Sequence, residues 1–377
     1  MSILFSRARK LDAAGQVDDF WMLVDGDTIV STGTGVPATA DHTMDLAGAW
    51  LTPGFLDLHS HGGGGFSYDG DADSIRSALA VHRAHGTTRS LLSLVSNPMA
   101  SLERSLSTIA GLVAVDPLIL GSHLEGPYLS PERKGAHDPE FLREPQPAGL
   151  DRLLDAAHGT LRQITVAPEL PNALELIQIL VENQVVVAIG HTEADFALAG
   201  KAFDIGARLL THAFNAMPGI GHRAPGPVVA AFEDERVTLE LVLDGQHVHP
   251  DVAALAFRSA PGRIALITDA MAAAGAHDGD YELGSLAVEV RDGVAHLAGT
   301  DSLAGSTLTQ DRALRLAIER VGVAPADAVA ALTLTPARVL GLEARHGLLA
   351  PGFVADAVRL DSQWNVEGVW ANGAALG

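Results

Sequence analysis

The sequence contains no cysteine among its 377 residues, and aromatic residues make up only 5% of it. Without cysteine, a disulfide framework and a thiolate metal site are both excluded. Hydrophobic residues still reach 47%, so we expect a core built from Leu, Val, Ile and Ala. No apolar run approaches the length of about 18 residues that a membrane-spanning helix requires. The sequence therefore predicts no membrane span.

Basic residues are also scarce, since 25 Lys and Arg stand against 46 Asp and Glu, for a formal net charge of −21. This excess of negative charge argues against nucleic acid and anionic membranes as partners. An anionic small molecule would need basic groups concentrated at one place. The first residues show no signal-peptide core followed by a cleavage site, and together with the missing cysteine this favours a cytoplasmic location.

The middle of the chain alternates between short apolar runs and helical patterns. Eight runs are typical of strands, and we predict strands over residues 51–59, 87–94, 118–125, 163–167, 185–191, 208–211, 237–243 and 263–268. Helical patterns fill several of the gaps, over residues 74–85, 172–183, 193–205 and 309–321. Strands alternating with helices form parallel sheets, and eight repeats predict an α/β fold with a (β/α)8 TIM-like barrel.

Both ends of the chain read instead as short strands separated by turns. We predict that residues 1–52 and 350–377 together form a small β-sandwich domain, because neither end can bury an apolar face alone. Residues 53–349 would then form the barrel. A β-hairpin near 281–299 is predicted as an insertion after the eighth strand, where it would shape the mouth of the site.

Three predicted strands end on residues that bind metals. Glu125, His191 and His212 close the third, fifth and sixth apolar runs. One histidine at a strand end is more often a hydrogen-bonded core residue, but three such positions together indicate a ligand set. Catalytic zinc commonly has three protein ligands of this kind and an open fourth position. The sequence therefore predicts a metal site at the C-terminal end of a barrel.

Two further features extend this prediction. His59 and His61 stand at i and i+2, so an extended strand places both imidazoles on one face, where they can share a metal. Asp269 closes the eighth run, and a carboxylate beside an activated water can accept its proton and pass it to a leaving amine. The alternative for Asp269 is a helix N-cap, where aspartate is favoured.

The loops after these strands hold candidates for binding a substrate. Asn215 offers an amide in a loop after His212, and the guanidinium of Arg223 suits a phosphate. His247 follows the seventh strand near the same rim. From the residues alone, Arg223 and His247 are as consistent with an exposed surface as with a binding site. His123 shares a face with Glu125, and we expect it to support the site rather than bind the metal.

The remaining histidines are given ordinary structural roles. His82 and His85 stand three residues apart on the first predicted helix, and we expect both to face solvent. Five more histidines fall in turns or exposed segments: His42, His158, His277, His296 and His346.

Taken together, these motifs resemble the amidohydrolase superfamily, and within it the deacetylases of phosphorylated amino sugars. The resemblance covers nearly the whole chain. It is carried most specifically by residues 53–57, 123–128, 134–137, 190–192, 211–212, 214–218, 244–248, 268–270 and 303–309. What it implies is hydrolysis of the N-acetyl group of N-acetylglucosamine 6-phosphate, which gives glucosamine 6-phosphate and acetate.

The resemblance also implies roles for particular residues. Glu125, His191 and His212 would bind the metal, and Asp269 would act first as general base and then as general acid. His137 would contact the substrate near the scissile amide and help to polarise its carbonyl. The residues implied for holding the sugar phosphate and the rest of the substrate are Asn215, the backbone of Ala216, Arg223, His247 and Leu303.

Cofactor and assembly are implied in the same way. One or two divalent metal ions per subunit are expected, the second at His59 and His61. Zinc is the default, while nitrogen and oxygen ligands also suit iron and other divalent ions. A homodimer is expected, with the phosphate site completed at its interface.

Three alternatives to this function remain. Amidohydrolases of the dihydroorotase type bridge two metals with a modified lysine on the fourth strand, but residues 163–169 contain no lysine. A deacetylase of N-acetylgalactosamine 6-phosphate would use the same metal and phosphate groups, so the sequence does not separate the two epimers. A non-catalytic barrel that binds a metal or a sugar phosphate would have no use for Asp269, and Asp269→Asn distinguishes it from an enzyme.

Overall fold

A computed structural model describes residues 2–376 of the chain. The N-terminal part consists of five strands: β1 (Ser2–Asp12), β2 (Gly15–Asp25), β3 (Thr28–Thr34), β4 (His42–Asp45) and β5 (Trp50–Pro53). β1 lies in the middle of them, antiparallel to β2 and parallel to both β4 and β5. β3 extends the sheet beyond β2.

The next ten strands include the predicted barrel. They are β6 (Phe55–Asp57), β7 (Gly62–Gly63), β8 (Phe66–Ser67), β9 (Thr87–Val95), β10 (Ile119–Glu125), β11 (Leu161–Val166), β12 (Val186–Ile189), β13 (Leu209–Leu210), β14 (Thr238–Val242) and β15 (Ile264–Ile267). β7 and β8 pair only with each other, and the other eight form one parallel sheet in sequence order from β6 to β15. The predicted eight-stranded α/β barrel is confirmed.

The barrel closes between β6 and β15 through residues at and beyond the ends of these strands. The backbone N–H of Asp269 donates to the carbonyl of His59 at 2.8 Å. The hydroxyl of Thr268 donates to a carboxylate oxygen of Asp57 at 2.6 Å. The closing contacts therefore lie at the same end of the barrel as the predicted site residues.

Within residues 2–376, ten α-helices connect and cover the strands: α1 (Ala72–Ala84), α2 (Met99–Val113), α3 (Pro147–Ala157), α4 (Ala173–Glu182), α5 (Phe196–Ile205), α6 (Gly226–Glu233), α7 (Pro250–Ser259), α8 (Gln310–Leu316), α9 (Pro325–Leu332) and α10 (Leu334–Val339). Short 3-10 turns cover Pro131–Arg133 and Pro139–Phe141, and a π-turn, Ala317–Val321, extends α8. Aspartate caps start two helices, because Asp71 and Asp195 each accept a backbone N–H three residues on. Among the described residues, no helix combines the length and apolar character needed to cross a membrane.

The segment predicted as a hairpin insertion forms three antiparallel strands, one more than expected. These are β16 (Gly279–Leu283), β17 (Leu286–Arg291) and β18 (Val294–Leu297). Leu283 at the end of β16 is buried against residues of the barrel mouth such as Ala136 and Met271. The insertion therefore covers one side of the C-terminal end of the barrel.

The C-terminal strands return to the first sheet. They are β19 (Ala357–Leu360), β20 (Val366–Ala371) and β21 (Ala374–Leu376), and β19 pairs with β5. The eight terminal strands are hydrogen-bonded as one sheet, and Gly373 beyond β20 lies against Gly26 beyond β2. Both ends of the chain thus contribute to one β-structure, as predicted.

The strand predicted over residues 51–59 is in fact two strands. β5 belongs to the terminal sheet and β6 to the barrel, with Gly54 between them. A Cβ atom at Gly54 would lie 2.3 Å from Oγ1 of Thr88, so only glycine allows this close approach between the chain segments. The division of the chain into domains at 52/53 and 349/350 stays a prediction.

Candidate metal centre and active-site cavity

The predicted site residues converge at the C-terminal ends of the barrel strands. Glu125 is the last residue of β10, while His191, His212 and Asp269 each stand two residues beyond the end of a strand. These last three have left-handed backbone, with φ of 46°, 24° and 49°. Such conformations are costly for residues other than glycine and cluster at functional sites.

The first group of candidate ligands is Glu125, His191 and His212. Nε2 of His191 lies 3.1 Å from Oε1 of Glu125, and Nε2 of His212 lies 3.0 Å from the same oxygen. The two nitrogens are 3.0 Å apart. The three atoms thus form a nearly regular triangle, and all three residues are buried.

The second group is His59, His61 and Asp269. Nε2 of His61 lies 3.1 Å from Nε2 of His59 and 3.3 Å from Oδ1 of Asp269. It also lies 3.2 Å from Oε2 of Glu125, the oxygen that the first group does not use. The carboxylate of Glu125 therefore stands between the two groups.

The donor atoms fit a divalent cation. Ligands about 2.0–2.2 Å from a tetrahedral zinc ion are separated from one another by about 3.3 Å, close to the spacing of both groups. Nδ1 of His191 lies 2.8 Å from the carbonyl of Arg133. If this nitrogen carries the proton, Nε2 keeps a lone pair directed at Glu125 and His212. Three such acceptor atoms in contact repel one another unless a cation lies between them.

Charges dominate the protonation of the second group. Burial disfavours a charged His61, but hydrogen bonds with Asp269 and Glu125 raise its pKa to about 9. Burial similarly disfavours a charged Asp269, but the charge of His59 and the hydrogen bond with His61 lower its pKa to about 2. Asp269 is therefore ionised at neutral pH, as an acceptor of protons must be.

The pKa of His137 shifts in the opposite direction to that of His61. Burial lowers the pKa of His137 to about 4, against the opposing influence of Glu125. The backbone N–H of Ser96 donates to Nδ1 at 3.2 Å, which leaves the proton of the neutral ring on Nε2. This Nε2 lies 3.4 Å from Oε2 of Glu125, so the ring presents a hydrogen-bond donor beside the candidate metal ligands.

A cavity of about 390 Å³ opens above these residues. Its floor includes Glu125, His191, His212, Asp269, His61 and His137. Its walls include four of the residues predicted to bind substrate: Asn215, Ala216, His247 and Leu303. The insertion contributes Leu283. Arg223, by contrast, is exposed and does not line the cavity of its own chain.

Sequence reasoning missed one buried carboxylate and misplaced one histidine. Glu240 on β14 is fully buried, and Oε2 lies 3.3 Å from Nδ1 of His59. Its position as an acidic residue inside the apolar run 237–243 could have identified Glu240 from the sequence. His82 was expected to face solvent, but it is buried and Nε2 lies 2.8 Å from the carbonyl of Gly62. His82 therefore supports the loop that follows His61.

His123 lies beside the candidate ligands but belongs to neither group of them. Nδ1 lies 2.9 Å from Oγ of Ser93 and Nε2 lies 3.0 Å from Oγ1 of Thr165. Both ring nitrogens are thus used by hydroxyl groups. The ring packs edge-on against His59, with centroids 4.6 Å apart, and so lies directly beneath the candidate ligands.

Residues 50–376 match the Amidohydrolase family. The chain belongs to the amidohydrolase family. It is 40% identical to an N-acetylgalactosamine-6-phosphate deacetylase of Escherichia coli O157:H7 over 97% of both chains. It is 35% identical to the human N-acetylglucosamine-6-phosphate deacetylase, over 89% of this chain and 85% of that one. The superfamily inferred from the motifs is confirmed.

Among solved structures, the fold is similar to an N-acetyl-D-glucosamine-6-phosphate deacetylase variant from Mycobacterium smegmatis, in complex with N-acetyl-D-glucosamine-6-phosphate. The TM-score is 0.95 and the identity is 42%, over 100% of this chain and 99% of that one. The likeness covers both the barrel and the terminal sheet. Amidohydrolases similar to this chain thus include deacetylases named for both sugar epimers.

Proposed function

We propose that this protein is a metal-dependent deacetylase of N-acetylated amino-sugar 6-phosphates, with N-acetylglucosamine 6-phosphate as its substrate. The observation that carries the proposal is the carboxylate of Glu125, which lies between two groups of candidate ligands at the floor of one cavity. Asp269 and His137 face the same space. The similarity to deacetylases of this class over nearly the whole chain supports the same conclusion.

The metal would be held by Glu125, His191 and His212, with His59 and His61 offering a second position. A bound divalent cation supplies two things, a lower pKa for a water molecule and polarisation of the amide carbonyl. We take zinc as the first ion to test. Iron or another divalent ion would suit the same nitrogen and oxygen donors.

Asp269 moves the proton. Ionised at neutral pH, its carboxylate accepts a proton from the attacking water as the new C–O bond forms. It then donates this proton to the amide nitrogen as the C–N bond breaks. The products are acetic acid and the sugar amine, which at neutral pH are present as acetate and the ammonium form of the sugar, so one water is consumed and no proton is left over on Asp269.

His137 stabilises the charge that develops on the carbonyl oxygen. Its Nε2–H faces the cavity beside Glu125, and a neutral ring donates a hydrogen bond without needing to lose a proton. Removing one such donor typically costs about 10²–10³ in rate. We assign His137 this role because Ser96 fixes the tautomer that places the proton on Nε2.

The substrate phosphate would lie at the rim. Asn215, the backbone of Ala216 and His247 line the cavity, with Leu303 along the wall of the sugar site. We propose that Arg223 reaches the phosphate across a homodimer interface, since it does not line the cavity of its own chain. Ile220 in the same loop is 49% exposed, which is consistent with an apolar contact between subunits.

The galacto epimer is the second candidate. The 40% identity to a deacetylase named for N-acetylgalactosamine 6-phosphate supports this epimer, while the 42% identity to an N-acetyl-D-glucosamine-6-phosphate deacetylase of known structure supports the gluco epimer at least as well. Both epimers need the same metal and phosphate groups. Because a phosphorylated sugar does not cross a membrane unaided, either substrate supports a cytoplasmic location.

Acetate release by the metal-loaded protein tests the proposal. N-acetylglucosamine 6-phosphate should be turned over faster than the unphosphorylated sugar by orders of magnitude. Measuring N-acetylgalactosamine 6-phosphate under the same conditions shows which of the two epimers the protein prefers. Equal turnover of the unphosphorylated sugar would refute the proposed phosphate site, including the roles of Arg223 and His247. If no acetate is released from any of these sugars, the proposed substrate class is refuted, and other amides become the candidate substrates.

A further inference from the structure

Glu240 is a buried carboxylate that the proposed chemistry does not use. It stands in the middle of β14, and none of its surface is exposed. A carboxylate without solvent is costly to keep unless its oxygens are hydrogen-bonded. The contacts of Glu240 therefore indicate what the residue does.

Both oxygens of Glu240 meet nitrogen donors. Oε1 accepts a hydrogen bond from Nε2 of Gln163 at 2.9 Å. Oε2 lies 3.3 Å from Nδ1 of His59, and the backbone N–H of His212 donates to it at 3.4 Å. One carboxylate thus contacts a residue of each ligand group from behind, on the side away from the cavity.

Both oxygens of Glu240 accept hydrogen bonds from nitrogen donors, Oε1 from Gln163 and Oε2 from the backbone of His212, so the contact of Oε2 with His59 assigns the proton to Nδ1. The lone pair of a neutral His59 ring then lies on Nε2, which faces His61 and Asp269. Carboxylates that hold a histidine in this way fix its tautomer and ring orientation and raise its affinity for metals.

We infer that Glu240 is a positioning residue that makes His59 a metal ligand and so determines whether the second metal position is filled. This inference rests on the proposed function, because only that function requires a bound metal. His212 has the weaker contact with Glu240, through its backbone only, and its side chain is held by Glu125 and His191. Loss of Glu240 should therefore affect the second position more than the first.

The test is metal content in Glu240→Gln, measured by mass spectrometry after loading with zinc and removal of excess ion. The amide keeps the shape of the side chain but carries no charge and only one acceptor oxygen. We expect the wild type to hold two ions per subunit and the variant one. In competition with a chelator, the affinity for the second ion should fall by about 10–100-fold, with that for the first ion unchanged.

A double-mutant cycle shows whether Glu240 acts through His59. On a His59→Asn background, Glu240→Gln should cause no further fall in the affinity for the second ion. A further fall in that affinity as large as the one seen with His59 intact would overturn the inference, because Glu240 would then act independently of His59. Two tightly held ions in Glu240→Gln, equal weakening of both ions, or a single ion in the wild type would each overturn it as well.

A measurement on the wild-type holoenzyme does not depend on the folding of the Glu240 variants. In spectra of protein labelled with ¹⁵N-histidine, the His59 signal, assigned by its loss in His59→Asn, should show a protonated Nδ1. Protonation at Nε2 would contradict the inference. Neither this tautomer nor the metal count requires turnover, so a protein with two ions but no acetate release would refute the proposed function alone.

Discussion

Arg89 on β9 and Asp356 before β19 form a bidentate ion pair that joins the barrel to the terminal sheet. Nε of Arg89 lies 2.6 Å from Oδ2 of Asp356, and Nη2 lies 3.1 Å from Oδ1. Both side chains are only 6% exposed. The contact extends to Asn372, whose side chain accepts from Nη2 and whose backbone N–H donates to Asp356. Breaking this pair should therefore weaken the attachment of the terminal sheet.

Acid should remove the stabilisation that this pair contributes. Burial raises the pKa of Asp356, but His346 and Arg89 outweigh it and hold the pKa below its ordinary value. A lowered pKa gives stability that is present above the ordinary value of about 3.9 and is lost as the pH falls through the native value. Asp356→Asn should cost about 3–5 kcal/mol at pH 7. Calorimetry from pH 7 to pH 3 should show the melting temperatures of Asp356→Asn and of the wild type approaching each other as Asp356 of the wild type takes up its proton.

Glu367→Gln is the matched control for this prediction. Glu367 pairs with Arg359 in the terminal sheet at 2.9 Å, but the two side chains are 40% and 31% exposed. An exposed pair of this kind contributes about 0–1 kcal/mol. If Glu367→Gln lowers the melting temperature as much as Asp356→Asn, burial of the Arg89–Asp356 pair has no special importance.

The fold could be predicted because its signals are local and repeated. Apolar runs alternating with helical patterns indicate a parallel sheet, and eight of them in this chain favour a closed barrel. The boundary at Gly54 was hidden, because residues 51–59 form one apolar run although they serve two sheets. Only the side chain of Thr88, distant in sequence, requires glycine there.

The convergence of the candidate ligands could be predicted from the positions of the strand ends. Glu125, His191 and His212 are adjacent in space because parallel strands end at the same rim of a barrel. His82 was placed wrongly because helical spacing does not reveal which face of α1 lies under the loop of Gly62. Glu240 was missed because an acidic residue within an apolar run gains its meaning only from a neighbour on another strand.

The position of Glu125 between the two ligand groups predicts unequal effects on metal binding. Glu125→Gln should remove the ion of the first group and weaken the second, because both groups lose a charged neighbour. His61→Asn should remove only the second ion. Metal analysis after loading distinguishes them, and treatment with a chelator followed by zinc should abolish and then restore wild-type turnover. Equal metal loss in the two variants would contradict the central position of Glu125.

Asp269→Asn should lower turnover by orders of magnitude while leaving substrate binding intact. The amide has nearly the same shape but cannot take the proton of the attacking water. We expect kcat to fall by a factor of about 10²–10⁴, the usual contribution of a general base. Calorimetric titration with the sugar phosphate should still show binding. A variant that keeps more than a tenth of the wild-type rate would exclude Asp269 as the base.

His137→Asn tests the donor on the carbonyl side of the amide. Its kcat should fall by about 10²–10³ because the charge on the carbonyl oxygen loses its hydrogen bond. Metal content should stay as in the wild type, since His137 belongs to neither ligand group. Loss of metal in this variant would instead make His137 a part of the metal site.

A mixture of Arg223→Ala and Asp269→Asn, each impaired at low substrate concentration, tests whether Arg223 serves the partner's site. Arg223→Ala should raise KM for the phosphorylated sugar, because Arg223 is exposed and outside the cavity of its own chain. If Arg223 acts across a homodimer, a mixed dimer with Asp269→Asn contains one site with both residues intact. Equal mixing and reassociation should then restore about one quarter of wild-type activity at low substrate concentration, since half of the dimers are mixed and each has one complete site. No recovery, with mixed dimers verified by mass spectrometry, would mean that Arg223 serves its own chain or no site at all.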